Sequence, residues 1–140
     1  MLEGIRMMIL LLSLFICAWV DWKKEKVCMP FLFMTGIAAV LFHLFLQDSS
    51  VYELLSGTLV GAAMLLYALC TKESIGYGDG CLFVITGLFL GFRKNLLLLL
   101  LAAVMTGITG AFLMVMRKKG RKDRIPFIPF VLASFVLLLV

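Results

Sequence analysis

Charged side chains are scarce in this sequence. Of its 140 residues, 15% are Asp, Glu, Lys or Arg, whereas 64% are hydrophobic, and the mean hydropathy is +1.14. A soluble domain of this length keeps much of its surface in water and could not hide so many apolar side chains. The sequence also lacks a polar linker or a low-complexity tail. We therefore expect one membrane domain, residues 1–140, with the lipid bilayer as its surroundings.

Metal-binding and redox motifs are missing as well. The four cysteines (Cys17, Cys28, Cys70 and Cys81) form no C-x-x-C pair, so their spacing predicts neither a zinc site nor a redox motif. Buried thiols pack like small apolar side chains, and that is the role we expect for these four. We predict no metal and no cofactor. The single histidine, His43, comes late in an apolar segment, and we expect it to pack at the membrane interface.

Long apolar segments make up most of the chain. A β-barrel needs alternating polar positions, and the leucine run from Leu96 to Leu101 has none. A helix crosses the bilayer with about 20 apolar residues and satisfies its own backbone groups. The sequence thus predicts an all-α, polytopic membrane helical bundle with about six transmembrane helices: Ile5–Val20, Cys28–Leu46, Tyr52–Cys70, Cys81–Phe92, Leu96–Met116 and Ile125–Val140. The fourth is short, which indicates tilt, a thinned bilayer or an earlier start at Gly78 or Asp79.

Positive charge is distributed unevenly between the connections. Arg6, Arg93 and Lys94 fall on one side of the predicted bundle, and the other ten Lys and Arg residues fall on the opposite side. Because positive loops stay cytoplasmic, both termini should face outwards. The net charge of +5 does not indicate nucleic acid, since the basic residues lie where membrane topology requires them. Asp21 and Asp79 then share the cytoplasmic face.

These two aspartates carry the strongest indication of chemistry. Acidic side chains beside lipid are costly and usually functional. Asp21 ends the first apolar segment, and Asp79 lies in Gly76-Tyr77-Gly78-Asp79-Gly80 before the fourth. The glycines permit unusual backbone angles and the approach of an extended peptide. Two close carboxyls share a proton, so one can activate water while the other acts as an acid. A helix N-terminus favours a negative Asp79, and an apolar helix end favours a protonated Asp21.

Three segments resemble one known family. They are Asp21-Trp-Lys-Lys-Glu-Lys-Val-Cys-Met-Pro30, Gly76-Tyr-Gly-Asp79 and Ile125-Pro-Phe-Ile-Pro-Phe130, in the order that the family has them. The sequence resembles the type IV prepilin peptidases, which are membrane aspartyl proteases of the Gly-x-Gly-Asp type. The resemblance implies that Asp21 and Asp79 are the catalytic pair and that Gly76 and Gly78 match the family's glycines. It also implies cleavage of a short basic leader from prepilins or pseudopilins at the cytoplasmic face of the inner membrane.

The sequence departs from the family pattern at several places. Cys81 stands where the family usually has lysine, and Phe31 follows Pro30 where it usually has Asn or Asp. The N-terminal extension with four cysteines, associated with N-methylation in larger members, is not present in this sequence. We therefore expect a peptidase-only enzyme, similar to those of tad-type or archaeal-type pili, without methyltransferase activity.

Substrate contacts are predicted from charge. A basic leader should avoid the basic segment Arg117–Arg124, whereas Glu25 and Glu73 flank the two aspartates and could receive leader Lys or Arg residues. We predict substrate binding at these two glutamates and at Gly76 and Gly78.

Three other functions are compatible with parts of the sequence. A protease of the presenilin type would have Tyr-Asp and a later Pro-Ala-Leu, but Asp21 follows Val20 and no Pro-Ala-Leu exists. An ion-coupled transporter would place its acids near the bilayer midplane rather than at helix ends. A noncatalytic pilus-assembly protein could keep the fold with an inactive site, and Cys81 is compatible with that. The oligomeric state is not predicted.

Overall fold

A computed structural model describes residues 1–24, 26–46, 50–72, 76–116 and 125–140 of the chain. Within these ranges every regular element is a helix, which confirms the all-α prediction: α1 Leu2–Lys24, α2 Met29–Leu46, α3 Val51–Cys70, α4 Tyr77–Val115 and α5 Ile128–Leu139. The first four are long and apolar enough to cross a membrane. That the chain crosses about six times, with both termini outside, stays a prediction.

Local chemistry accounts for the helix ends. The Ser50 side chain accepts a hydrogen bond from the Tyr52 N–H at 3.3 Å, which caps the start of α3. Pro129 lies in the first turn of α5, where its missing N–H costs nothing. α1 ends with Lys23 and Lys24 in its last turn, where positive charge suits the helix dipole. Because α1 runs past the predicted end at Val20, Asp21 lies inside its final turn.

The longest helix, α4, is folded into a hairpin at Gly91. Along a straight helix, residues 83 and 95 would lie about 18 Å apart. Instead, the Asn95 side-chain Nδ2 donates a hydrogen bond to the Phe83 carbonyl oxygen at 2.9 Å. The chain reverses at Gly91, whose φ of 75° and ψ of 176° lie in a region that essentially only glycine adopts. Residues 77–90 and 92–115 therefore form two antiparallel helical arms.

This break corrects the predicted connection between the fourth and fifth spans. The sequence predicts a polar loop at Arg93–Asn95, because two charges and an amide interrupt the apolar run there. In the structure these residues are helical, and the reversal comes earlier, at Gly91. Asn95 is fully buried instead of being exposed in a loop. Its amide holds the hairpin together, so its polarity serves packing.

Close glycine contacts join α3 to the first arm of α4. A Cβ atom on Gly57 would overlap the backbone of Gly87, and a Cβ atom on Gly61 would overlap the backbone of Val84. Small residues of this kind let helix backbones approach closely in lipid. Asn95 Nδ2 also donates a hydrogen bond to the Gly57 carbonyl at 3.2 Å, and the Thr86 hydroxyl donates to Asn95 Oδ1 at 2.7 Å. α3 and both arms of α4 are thus bound as one unit.

α4 is the centre of the bundle. It packs against α3, α5 and α2, and α1 packs mainly against α5. Large apolar side chains fill the interior, with Phe83, Phe89, Leu98 and Phe135 almost completely buried. Since successive helices alternate in direction, the end of α1 and the starts of α2, α4 and α5 meet at one end of the bundle. That end holds the aspartates.

Candidate functional site: a cavity between two aspartates

Asp21 and Asp79 line the same cavity. Its volume is about 250 Å³, and the described residues in its walls come from three stretches that are distant in sequence, within 21–29, 76–79 and 125–127. The lining residues are Asp21, Lys26, Val27, Met29, Gly76, Tyr77, Gly78, Asp79, Ile125, Pro126 and Phe127. The fold therefore brings both predicted aspartates and both predicted glycines to one place.

Asp21 is held between α1 and α5. It lies in the last turn of α1 and is only 6% exposed. The backbone N–H of Ile128, the first residue of α5, donates a hydrogen bond to Asp21 Oδ2 at 3.3 Å. This N–H is one of the groups that a helix start leaves without an intrahelical partner. Asp21 thus caps α5, and α5 fixes the position of the carboxyl group.

Asp79 is placed by the start of α4. Gly76 is the N-cap residue, with extended backbone angles, and Asp79 is the third residue of the helix. Its backbone N–H donates to the Gly76 carbonyl at 3.1 Å, closing the first turn. The Asp79 side chain is half-buried and lines the cavity. A carboxylate in a first helical turn is stabilised by the unpaired N–H groups there.

The glycines beside Asp79 provide space, and their backbone angles are ordinary. Gly76 has a φ of −64°, and Gly91 is the one glycine in the described part of the chain with positive φ. A Cβ atom on Gly78 would lie 2.6 Å from Val27 Cβ, and one on Gly80 would lie 2.8 Å from the Leu65 side chain. Of the two reasons that the sequence suggests for these glycines, unusual backbone angles are wrong here, and the approach of an extended peptide stays a prediction. Close packing around the first turn of α4 requires the small residues.

The charge difference predicted between the two aspartates also needs correction. The sequence assigns Asp79 to a helix N-terminus and Asp21 to an apolar helix end. In the structure Asp21 also faces a helix N-terminus, that of α5, and accepts its first N–H. Both helix starts favour negative charge, so the dipole argument no longer separates a base from an acid. The contact was not predictable from α1 alone, because it joins residues more than a hundred positions apart.

The predicted substrate contacts Glu25 and Glu73 lie outside the described residues. Tyr77 and Phe127 also line the cavity, and the sequence predicts no role for either. Their only sequence signal is position: one lies between the two glycines, and the other lies inside the Ile-Pro-Phe repeat.

Cys81 faces away from the aspartates. It lines an apolar groove between α2 and α4, together with residues such as Phe33 and Val84, and is not among the residues that form the aspartate cavity. The family's lysine is thus replaced at a position directed towards an apolar surface. Across the described ranges, no three His, Cys, Asp or Glu side chains lie close enough to hold a metal ion.

The fold and the cavity define a helical membrane protein with two carboxyl groups gathered at one end of its bundle. Residues 8–111, about three quarters of the chain, match the type IV leader peptidase family. The chain belongs to this family, as the resemblance predicts, and is therefore a protease of the leader-peptidase kind. The match includes Asp21 and Gly76–Asp79 and ends before α5. No curated protein and no solved structure shows significant similarity to the chain.

Proposed function

We propose that this protein is a membrane aspartyl endopeptidase in which Asp21 and Asp79 together activate water. It removes the short basic leader from type IV prepilin-like proteins at the cytoplasmic face of the inner membrane. The observation that carries the proposal is the single cavity lined by both carboxyl groups.

The chemistry follows from the environment of the pair. When two carboxyl groups share one site, a single proton is distributed between them. The ionised carboxylate removes a proton from water as the water attacks the scissile carbonyl, and the protonated carboxyl group donates to the departing amine. Neither residue is assigned permanently to one role. The hydrogen bond from Ile128 to Asp21 holds one member of the pair while the first turn of α4 holds the other.

The position of the cavity favours a protease over an ion-coupled transporter. Helix ends form its walls: the last turn of α1, the segment before α2, and the starts of α4 and α5. A peptide substrate can reach such a site from water, whereas transporter sites lie near the bilayer midplane. An inactive assembly protein is also less well supported, because the position of the missing lysine, Cys81, lies on another surface.

The proposal also covers how the enzyme recognises the leader. Glu25 and Glu73 are close in sequence to the two aspartates and would attract Lys or Arg residues of a leader. Prepilins or pseudopilins are the expected substrates, and the enzyme trims them without methylating the product.

A cleavage assay in proteoliposomes tests the function. Wild-type protein should remove the leader from a prepilin-type substrate, and Asp21→Asn and Asp79→Asn should each remove it at least about 100-fold more slowly. Glu3→Gln likewise replaces a carboxyl group by an amide, at the start of α1 and away from the aspartate cavity, and should leave the rate unchanged. If either aspartate variant cleaves at the wild-type rate, the two-carboxyl mechanism is wrong.

A further inference from the structure

A second large cavity lies at the opposite end of the bundle. Its volume is about 460 Å³, and it is formed where α1 begins, α2 ends, α3 begins and the α4 hairpin turns. We call it the cationic cavity, because Arg6, Arg93 and Lys94 all line it. These are the three Lys and Arg residues that the sequence assigns to this side of the membrane. Their convergence on one cavity is not explained by membrane topology, which disfavours positive charge on this side.

The positive groups in the cavity outnumber the negative ones. Among the described residues that line it, Glu53 is the one acidic residue. The Arg6 Nε atom is buried and has no hydrogen-bond partner among the described residues. His43 is already engaged, since its Nε2 lies 2.8 Å from the Leu88 carbonyl oxygen at the end of the first α4 arm. A buried donor on a charged group requires an acceptor, so the cavity suits an anion.

The depth of the cavity indicates where that anion comes from. Residues 77–90 of α4 rise by about 21 Å, whereas the hydrocarbon core is about 30 Å thick. When Asp79 lies at one membrane surface, the hairpin turn at Gly91 therefore does not reach the opposite surface and lies within the bilayer. Arg93 and Lys94 follow this turn directly, so their charges lie at the level of lipid headgroups or slightly deeper. Phosphate groups of the surrounding lipid are the anions available there.

An apolar groove leads away from the cationic cavity. It has a volume of about 520 Å³ and follows α3 and the second arm of α4. Phe92 lines both the groove and the cationic cavity, so the two adjoin at this side chain. The remaining groove residues are apolar apart from one tyrosine: Leu59, Val60, Ala63, Met64, Tyr67, Leu96 and Leu99. The cationic cavity beside the apolar groove matches a molecule with an anionic head and a hydrocarbon tail.

We propose that this protein binds one anionic phospholipid at the end opposite the aspartates. Its phosphate lies between Arg6, Arg93 and Lys94, and one acyl chain runs along the groove beside Phe92. The lipid would stabilise the α4 hairpin, because it contacts both arms and the start of α3. This proposal is independent of the peptidase mechanism.

Native mass spectrometry of the purified protein tests it. Phosphatidylglycerol should bind at least about tenfold more tightly than phosphatidylcholine with the same acyl chains. Arg93 and Lys94 are exposed, so the double variant Arg93→Gln/Lys94→Gln should fold. At about fivefold for each cation, it should weaken phosphatidylglycerol binding about 25-fold. Lys24→Gln removes an exposed charge at the aspartate end and should have no effect. Equal binding of both lipids, or unchanged binding by the double variant, would overturn the proposal.

Two further measurements separate a lipid from a free phosphate. Ala63→Phe fills the groove and should weaken phosphatidylglycerol binding, whereas Ala103→Phe, at an exposed position outside the groove, should not. Inorganic phosphate at the same concentration should fail to displace the lipid. If it displaces the lipid, or if Ala63→Phe binds normally, the cavity takes the phosphate group alone and the acyl-chain assignment is wrong.

Discussion

Gly78→Ala should slow leader cleavage by displacing one wall of the aspartate cavity. The added Cβ atom would lie 2.5 Å from Val27 Cγ2 and 2.6 Å from Val27 Cβ. Rotation of the valine side chain moves Cγ2 but leaves Cβ in place, so the backbone must move. Reaching the shortest ordinary contact of 3.4 Å from Val27 Cβ requires a separation of about 0.8 Å. Val27 and Gly78 both line the cavity, and Asp79 is the next residue.

The expected cost can be converted into a rate. Overpacking of this kind costs about 1–3 kcal/mol. If that energy is lost from the transition state, kcat/KM falls by roughly 5- to 150-fold. A displacement of about 1 Å in an active site has effects of similar size. The assay is single-turnover cleavage of a prepilin-type substrate in proteoliposomes.

A second substitution makes the reasoning testable. Val27→Gly removes all three of the valine atoms that lie nearest the new Cβ atom, so Gly78→Ala/Val27→Gly should cleave faster than Gly78→Ala alone. Gly107→Ala adds the same methyl group where nothing lies within 4 Å, and it should cleave like wild type. A fully active Gly78→Ala, or a double variant that is no faster than Gly78→Ala, would refute this account of the glycine.

Three further predictions concern the hairpin and the substrate. Asn95→Ala removes three hydrogen bonds and should lower the free energy of unfolding in mild detergent by about 2 kcal/mol, at about 0.6 kcal/mol each. Thr109→Ala should change that free energy little, because the Thr109 hydroxyl donates to the Met105 carbonyl oxygen of its own helix. The alanine of Gly91→Ala meets no neighbouring atom but must keep a φ of 75°. This variant should therefore lower the free energy of unfolding by about 1–3 kcal/mol, whereas Gly107→Ala should not lower it. Equal free energies of unfolding for the two variants would contradict the strained turn. Glu73→Lys should raise KM for a basic leader about fivefold with kcat unchanged, and a leader with acidic residues should reverse the effect. The control Glu3→Lys, at a distant position, should leave KM unchanged. An unchanged KM in Glu73→Lys itself would contradict the charge recognition.

The lengths of the apolar segments predicted α2 and α3 closely. The starts and ends of α2 and α3 lie within a residue of the predicted spans. α4 begins at Tyr77, close to the early start that the short fourth segment suggests. These features depend on residues that are neighbours in the sequence: an apolar run is long enough to cross lipid, and it ends where polar residues accumulate. The same rules misplaced the α4 turn, because Asn95 is polar yet buried.

The sequence predicts that the two aspartates share one membrane face, but it does not predict the contacts that position them. The distribution of positive charge predicts that Asp21, near the end of α1, and Asp79, at the start of α4, share one membrane face, and both line one cavity. The hydrogen bond from Ile128 to Asp21 depends on how α5 packs against α1, which no local pattern encodes. The need for glycine at position 78 likewise depends on Val27, about fifty residues away. That the two aspartates are catalytic stays a prediction.

The most direct test of the central claim is whether Asp21 and Asp79 act as one unit. Single-turnover cleavage rates should be measured for Asp21→Asn, Asp79→Asn and the double variant under identical conditions. Residues that act as a unit show strongly non-additive effects, so we predict that the double variant is no slower than the slower single variant. Losses that multiply in the double variant would show that the two carboxyl groups act independently and would contradict the shared-proton mechanism.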